Sequence, residues 1–462
     1  MRLIGFRSED WPAVMKIVPR LSGFCLMALI FPMLPFSSAA QELAAPLKFD
    51  FSTGPGKPGF TRVAPSDLYS DQAGYGYEPG AQVSIGDNGQ TTTSDKPFLF
   101  SAKVPEGNYS VTITFGDSAV ATTTTVEAEA ARLMLERVKV PAGQIVERTV
   151  TTNVRTPKLP KLPLNAPGRE EVTLDQFDRA NALDWDNKLT IKIISPHAAL
   201  RAIEITPAPS ATTVFIAGDS TVTDRDSGGD VSWGQELPVF FKPGVAVSNQ
   251  AQSAETLKSF ANALRLDKIL SQVKKGDYLF IQFAHNDSKK SWPQTYVDPE
   301  TTYQAYLKVY IAEARLRGAT PVLVTPMDRA DRATGMPNNS LGDYAEAMRQ
   351  VAEEKHVALI DLYKMSNIFY RASGAYAPHI LADGTHSRPY GGYEFAKCIV
   401  MGIKQNHLDL ANDIVLDFKD FDPAHPDDPA ALDMDALFDV GGGRRGHSGA
   451  GRPAGNPGPG PL

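Results

Sequence analysis

From Thr212 onward the chain alternates short apolar runs with stretches of helical periodicity, and this pattern limits its possible folds more than any other feature. The runs "TVFIAG", "VAVSN", "DYLFIQFA", "TPVLVTP" and "VALIDL" are too short for helices and lack polar alternation, as expected of strands buried on both faces. Between them, Tyr303, Tyr306, Leu307, Tyr310, Ile311 and Ala314 follow the i, i+3, i+4 spacing of one helix face. Ala396, Ile399, Val400 and Ile403 repeat it near the end. Strand–helix alternation predicts an α/β domain built on a parallel sheet with helices on both faces. Ligand sites in such sheets lie at the carboxyl ends of the strands.

Residues 41–208 read differently. "FLFSAKV", "GNYSVTITFGD", "IVERTVTTNV" and "LTIKIIS" are rich in β-branched residues and punctuated by Gly, Pro, Asn and Asp, which predicts an all-β sandwich. "RTPKLPKLPLNAPG" is a stiff proline-rich loop within it, and "PAPSA" at 207–211 is the expected hinge into the α/β domain, residues 209–410. Residues 411–462 are rich in Gly, Pro and charge and read as a disordered tail.

The first 40 residues predict an export signal: Arg2, Arg7, Lys16 and Arg20 precede the apolar run "LSGFCLMALIFPMLPF", and Ser38 and Ala40 are the small residues before a cut. The competing reading, a membrane anchor, is disfavoured by the short run and by Pro32 and Pro35. Cleavage removes four basic and two acidic side chains, taking the net charge from −7 to −9, a balance that suits neither a nucleic-acid nor an anionic-membrane partner. It also leaves Cys398 as the sole cysteine, so an intrachain disulfide and a cysteine-based metal centre are excluded. The expected location is periplasmic or extracellular, without stable membrane insertion.

Four segments carry candidate chemistry. Ser220 follows the first apolar run in "GDST"; a serine hydroxyl becomes a nucleophile when a base and an orienting carboxylate stand beside it. His386 in "DGTH" has Asp383 three residues earlier across a glycine, a spacing that can bring the carboxylate to Nδ1 and leave Nε2 free. A capping aspartate with a surface histidine gives the same letters. Acyl transfer also needs donors for a tetrahedral oxyanion. Asn286 in "AHND" offers a side-chain amide, and the backbone N–H groups of Ser220 and Ala254 offer two more. The bland alternatives are a turn residue at Asn286 and a helix start capped by Ser253, with Thr256 nearby.

In chain order these segments resemble the SGNH (GDSL-type) hydrolases. "GDST", "SNQAQSAET", "AHND" and "DGTH" match the first, second, third and fifth blocks of that family. The resemblance implies a three-layer, flavodoxin-like fold with Ser220 as nucleophile and first oxyanion donor, His386 as general base and acid, and Asp383 orienting it. Ala254 N–H and the Asn286 amide complete the oxyanion hole, and no cofactor is needed. "WGQELPVFF" and "NQAQSAETLKSF" look like the rhamnogalacturonan acetylesterase branch, which implies an acetylated polysaccharide as partner and substrate. "FDFSTGPGKPGFTRV" with "YGYEPG" looks like the start of a galactose-binding-like domain. Alternatives are a xylan acetylesterase, a lipase or thioesterase of the same fold, or an inactive carbohydrate-binding protein.

The sequence departs from the family pattern at Ala254 and Ala284, both usually glycine, and at Glu255, often arginine. The expectation is that Ala254 sits at negative φ. Trp233 reads as core, His285 as lining the cleft or packing behind Asn286, and Asp219 as ordering the turn around Ser220. His356 and His379 read as structural or surface residues. Residues 41–208 supply none of the proposed catalytic groups, so their expected use is to bind polymer or to shape one wall of the cleft.

Overall fold

The computed structural model describes residues 45–432 except 130, 161–168, 181 and 226–228. The expected export signal and most of the proline-rich loop therefore lie outside the described residues.

Five apolar runs form one parallel sheet: Thr212–Gly218, Val245–Asn249, Tyr278–Gln282, Thr320–Val324 and Ala358–Ile360. Numbered in chain order, they lie side by side as 2-1-3-4-5. The first strand therefore pairs with both the second and the third, with Ile216 level with Asn249 on one side and Phe280 on the other. This is the doubly wound order, and its switch point is where the second and third strands diverge from the first. Two apolar clusters fill the faces. One packs Val214, Ile216, Phe280 and Val322 against the last long helix, Pro389–Gln405, through Ala396, Ile399, Val400 and Ile403. The other packs Phe215, Leu279, Ile281 and Leu323 against the helix Thr302–Leu316 through Tyr303, Leu307, Tyr310, Ile311 and Ala314. Tyr306 is partly buried against that second cluster.

The β-rich half is two sheets around one core. Phe49, Val111, Ile113, Leu200 and Ile203 come from one sheet, and Phe98, Phe100, Val126, Leu189 and Ile191 from the other. Phe49 and Phe100 meet edge to face with centroids 5.0 Å apart. Residues 208–211 form a closed turn: Ala211 N–H donates to the Ala208 carbonyl, and Asn108 Nδ2 crosses to Thr213 Oγ1 at 2.8 Å.

The seam between the halves is buried and charged. Arg132, 1% exposed, donates through Nη1 to the Val247 carbonyl on the second parallel strand, and its Nε lies 3.2 Å from Asp224. Arg155 lies between Asp184 and Asp224 at 3.5 and 3.8 Å. Leu133 belongs to the same apolar cluster as Trp233 and Leu237.

The tail expectation is corrected for residues 411–432. Phe241 and Ile414 form a β-bridge, and Phe418, Phe421 and Leu432 pack on the cluster under the last helix. Composition underrates this stretch because a few well-spaced apolar residues suffice when a finished domain supplies the partner surface. Residues 433–462 lie outside the described residues. No helix among the described residues is long and apolar enough to cross a membrane.

Candidate active site

Gly218 is the last residue of the first strand, and a side chain there would collide with Val222 and the Gln282 carbonyl. The next residue, Asp219, is fully buried and shapes the turn as expected: its Oδ1 accepts the N–H of Thr221 at 3.0 Å and the Thr221 hydroxyl at 2.8 Å. Its Oδ2 faces Nδ1 of His285 at 3.3 Å. Burial acts to raise this carboxyl, but His285 and the Thr221 bonds outweigh it and hold it below the usual range. Ser220 is left partly exposed at the tip.

Asp383 and His386 arrive from far along the chain. Three helical segments, Leu362–Ala372, Gly374–Tyr376 and Ala377–Ile380, separate them from the last strand, and their turn immediately precedes the helix starting at Pro389. Gly384 has φ +85°, and a side chain on it would strike the Ala330 carbonyl. Inside this turn Asp383 Oδ1 accepts the N–H groups of Thr385 and His386 at 3.0 and 2.9 Å. Its Oδ2 accepts Nδ1–H of His386 at 2.9 Å. That leaves Nε2 to accept the Ser220 hydroxyl at 2.8 Å. Partial burial acts to raise the Asp383 carboxyl, but the hydrogen bonds from the His386 side chain and backbone hold it well below the usual range.

Gln250 N–H donates to the Ile216 carbonyl and Gln252 N–H to the Gly218 carbonyl, which bends the segment after the second strand around the Ser220 turn. The helix here begins at Leu257 with Thr256 as its cap, reciprocated by Ser259. The alternative of a helix capped by Ser253 does not hold: Thr256 is the cap, and Ser259, three residues on, closes a capping box with it. Ala254 therefore sits in a loop, exposed, with φ +66°. The expected negative φ is also corrected. This left-handed conformation costs alanine about 1–2 kcal/mol. Ala284 is likewise at positive φ, +149°, where glycine is at ease. Neither Ser220 N–H nor Ala254 N–H donates to any described group.

Asn286 Nδ2 donates to the Glu255 carbonyl at 3.0 Å, and its Oδ1 accepts Lys289 Nζ at 2.7 Å. One amide proton thus fixes the side chain and the other remains for a ligand. The Glu255 side chain turns away to the Ser259 hydroxyl and to Arg265.

Ser220, Ala254, Asn286 and His386 line one cleft of about 580 Å³. His285 also lines it, with Nε2 unpartnered. Trp233 is core: it is fully buried, and its Nε1–H donates to Gln282. His356 caps the helix Gly342–Lys355, and His379 is exposed on a short helix. The cleft also holds Phe177, Arg225, Lys289, Trp292 and Arg329, none singled out from sequence. Lys289 and Trp292 follow "HND" closely enough to be noticed, whereas Phe177 and Arg329 carry no local signal. Lys289 and Arg329 form no ion pair with a carboxylate among the described residues. Burial, with Arg329 beside it, lowers the Lys289 ammonium.

A serine, an imidazole and a carboxylate in hydrogen-bond series at the carboxyl ends of a 2-1-3-4-5 sheet define an α/β serine hydrolase. Residues 214–399 match the family model of the GDSL-like lipase/acylhydrolases. A probable rhamnogalacturonan acetylesterase, YesY of Bacillus subtilis strain 168, is 39% identical over 210 residues, covering 44% of this chain and 97% of that protein. The rhamnogalacturonan acetylesterase RhgT of the same organism is 34% identical over 221 residues, 44% of this chain and 94% of that protein. An uncharacterized esterase of that organism, YxiM, is 26% identical over 408 residues, 83% of this chain and 98% of that protein. The chain belongs to the GDSL-like lipase/acylhydrolase family and is a serine carboxylic ester hydrolase.

Proposed function

We propose that this chain is an exported carbohydrate esterase that removes acetyl groups from an acidic plant cell-wall polysaccharide, rhamnogalacturonan. The observation that carries the chemistry is the unbroken series Asp383–His386–Ser220, at 2.9 and 2.8 Å. His386 Nε2 takes the proton as Ser220 Oγ bonds to the acetyl carbonyl carbon. The developing oxyanion is received by the N–H groups of Ser220 and Ala254 and by the free amide proton of Asn286. Imidazolium then protonates the sugar oxygen as the C–O bond breaks. Water, deprotonated by the same imidazole, adds to the acetyl-enzyme; collapse of that second intermediate expels Ser220 Oγ, which regains its proton, and acetate departs. The Asp383 carboxylate stabilises the imidazolium formed in each half.

Two features support an acidic polymer. Two of the three relatives matched over nearly all of their own length are named as rhamnogalacturonan acetylesterases, one of them as probable. The cleft rim also holds two cations, Lys289 and Arg329, that form no direct ion pair with a carboxylate among the described residues, though Asp219, Asp328 and Asp383 lie close enough to act on Arg329. A uronate beside the acetylated hydroxyl can pair directly with them. Trp292, 45% exposed beneath Lys289, offers a face for a sugar ring. The β-rich half reads as the galactose-binding-like domain that the sequence resembles.

The test is acetate release from acetylated rhamnogalacturonan and acetylated xylan at equal acetyl concentration. A preference of at least tenfold for the former is expected, shrinking as salt is raised. Equal rates would remove the acidic-polymer reading and leave a general acetylesterase. Inactivity on every acetyl ester would favour a binding protein.

A further inference from the structure

The loop that carries Ala254 is held from outside the catalytic half. Between the strands Val146–Val154 and Lys188–Ile194, the β-rich half sends out a segment containing the short helix Gln176–Ala180 and the turn Ala182–Asp184. Asp175, at its start, accepts Nε2–H of Gln252 through Oδ1 at 3.1 Å. The same Gln252 side chain accepts the N–H of Ser253 through Oε1 at 2.5 Å. Three residues on, Asp178 accepts a hydrogen bond from Nη2 of Arg265. Arg265 is 1% exposed, lies over the Trp185 ring, and donates through Nη1 to the Gln250 carbonyl at 3.2 Å. Gln250, Gln252 and Ser253 are thus tied, directly or through Arg265, to carboxylates of the β-rich half. Ala254 comes next, with its N–H unused and its φ in a region alanine seldom adopts. A strained conformation persists only where its surroundings over-determine it, and on this side they consist of Asp175, Asp178 and Trp185. Phe177, between the two aspartates, faces the cleft.

We propose that Asp175 and Asp178 are positioning residues of the esterase reaction, which aim the Ala254 N–H through Gln252 and Arg265 and make the β-rich half part of the catalytic apparatus. The proposal rests on the reading of Ala254 N–H as an oxyanion donor. It predicts that damage to this clamp lowers the chemical rate on substrates far too small to reach a polymer-binding surface.

The experiment uses the full-length chain with Asp175→Ala, Asp175→Asn, Gln252→Ala and Ser220→Ala, each checked for unchanged circular dichroism. The substrate is 4-nitrophenyl acetate, and the probe of the tetrahedral state is methylboronic acid. Asp175→Ala and Gln252→Ala should lower kcat about tenfold or more with KM within about twofold, a fraction of the loss on deleting an oxyanion donor outright. The boronate inhibition constant should rise in parallel with the fall in kcat/KM, because the adduct places an oxygen where the oxyanion forms. Asp175→Asn, which keeps an acceptor for Gln252, should restore most of the rate. Wild-type kcat in both Asp175→Ala and Gln252→Ala would overturn the proposal. So would a loss of rate with unchanged boronate affinity, or one that Asp175→Asn fails to relieve. If Ser220→Ala remains active, the underlying catalytic reading falls instead. If Ser220→Ala is inactive and the clamp variants behave as wild type, the clamp alone is refuted.

Discussion

Nε2 of His386 lies 2.8 Å from Oγ of Ser220, a residue 166 positions earlier in the chain. That contact depends on two separate turns, each closed by its own aspartate: Asp219 beside the serine and Asp383 beside the histidine. Ser220→Ala removes the reacting atom and leaves both turns intact. A fall in kcat of about 10⁶ on an acetyl ester is expected, with an unchanged melting curve. Activity within tenfold of wild type would take Ser220 out of the reaction.

Asp383 is held well below the usual carboxylate range, so it stays ionised throughout the working pH range. Protonation of this carboxylate therefore supplies no acid limb in the working range, whereas a proton on Nε2 of the base stops it accepting from Ser220. Log kcat/KM against pH should have a limiting acid slope of one, from the single base. A slope of two would reveal a second essential group. Asp383→Asn should cost about 10⁴ in kcat, since an amide neither fixes the tautomer nor stabilises the imidazolium.

Asn286→Ala deletes the one side-chain donor of the proposed oxyanion hole. The expected loss is about 10²–10³ in kcat with little change in KM. Steady-state kinetics on a soluble acetyl ester separates the two parameters, and a change confined to KM would make Asn286 a binding residue only.

Ala254→Gly relieves a left-handed alanine at φ +66°. The relief, about 1–2 kcal/mol, is offset by about 0.4–1 kcal/mol of added chain entropy in the unfolded state. Thermal unfolding should show equal or slightly higher stability, and kcat should change less than threefold because neighbouring contacts already aim the loop. A severalfold gain in kcat would mean the alanine weakens the oxyanion hole.

A chain truncated to residues 209–462 loses Arg132 and Arg155 from Asp224, whose carboxyl burial already raises to about 6. Asn249 stays hydrogen-bonded to that carboxylate, but the loss of Leu133 bares the apolar cluster beside Trp233 to water. The truncated chain should aggregate or fail to hydrolyse even small esters, as judged by size-exclusion chromatography and acetate release. A monodisperse truncated chain with wild-type activity would show that the halves are independent.

The sequence by itself determined the elements and the positions that stand at their ends. Five short apolar runs alternating with helical periodicity pointed to buried parallel strands, and each candidate residue after a strand end is marked by Gly, Asp or Asn nearby. The turn "DGTH" was legible because its hydrogen bonds are local: Asp383 closes on residues two and three positions ahead. The conformation of Ala254 was not legible. Local steric preference favours negative φ, whereas the loop around it is tied to Asp175 and Arg265, which come from other elements, through Gln252 and the Gln250 carbonyl. The place of Phe177, Arg329 and residues 411–432 was hidden for the same reason. Periodicity reports which face of an element is buried, but which distant surface meets it is set by packing between elements, and that information exists only once the chain has folded.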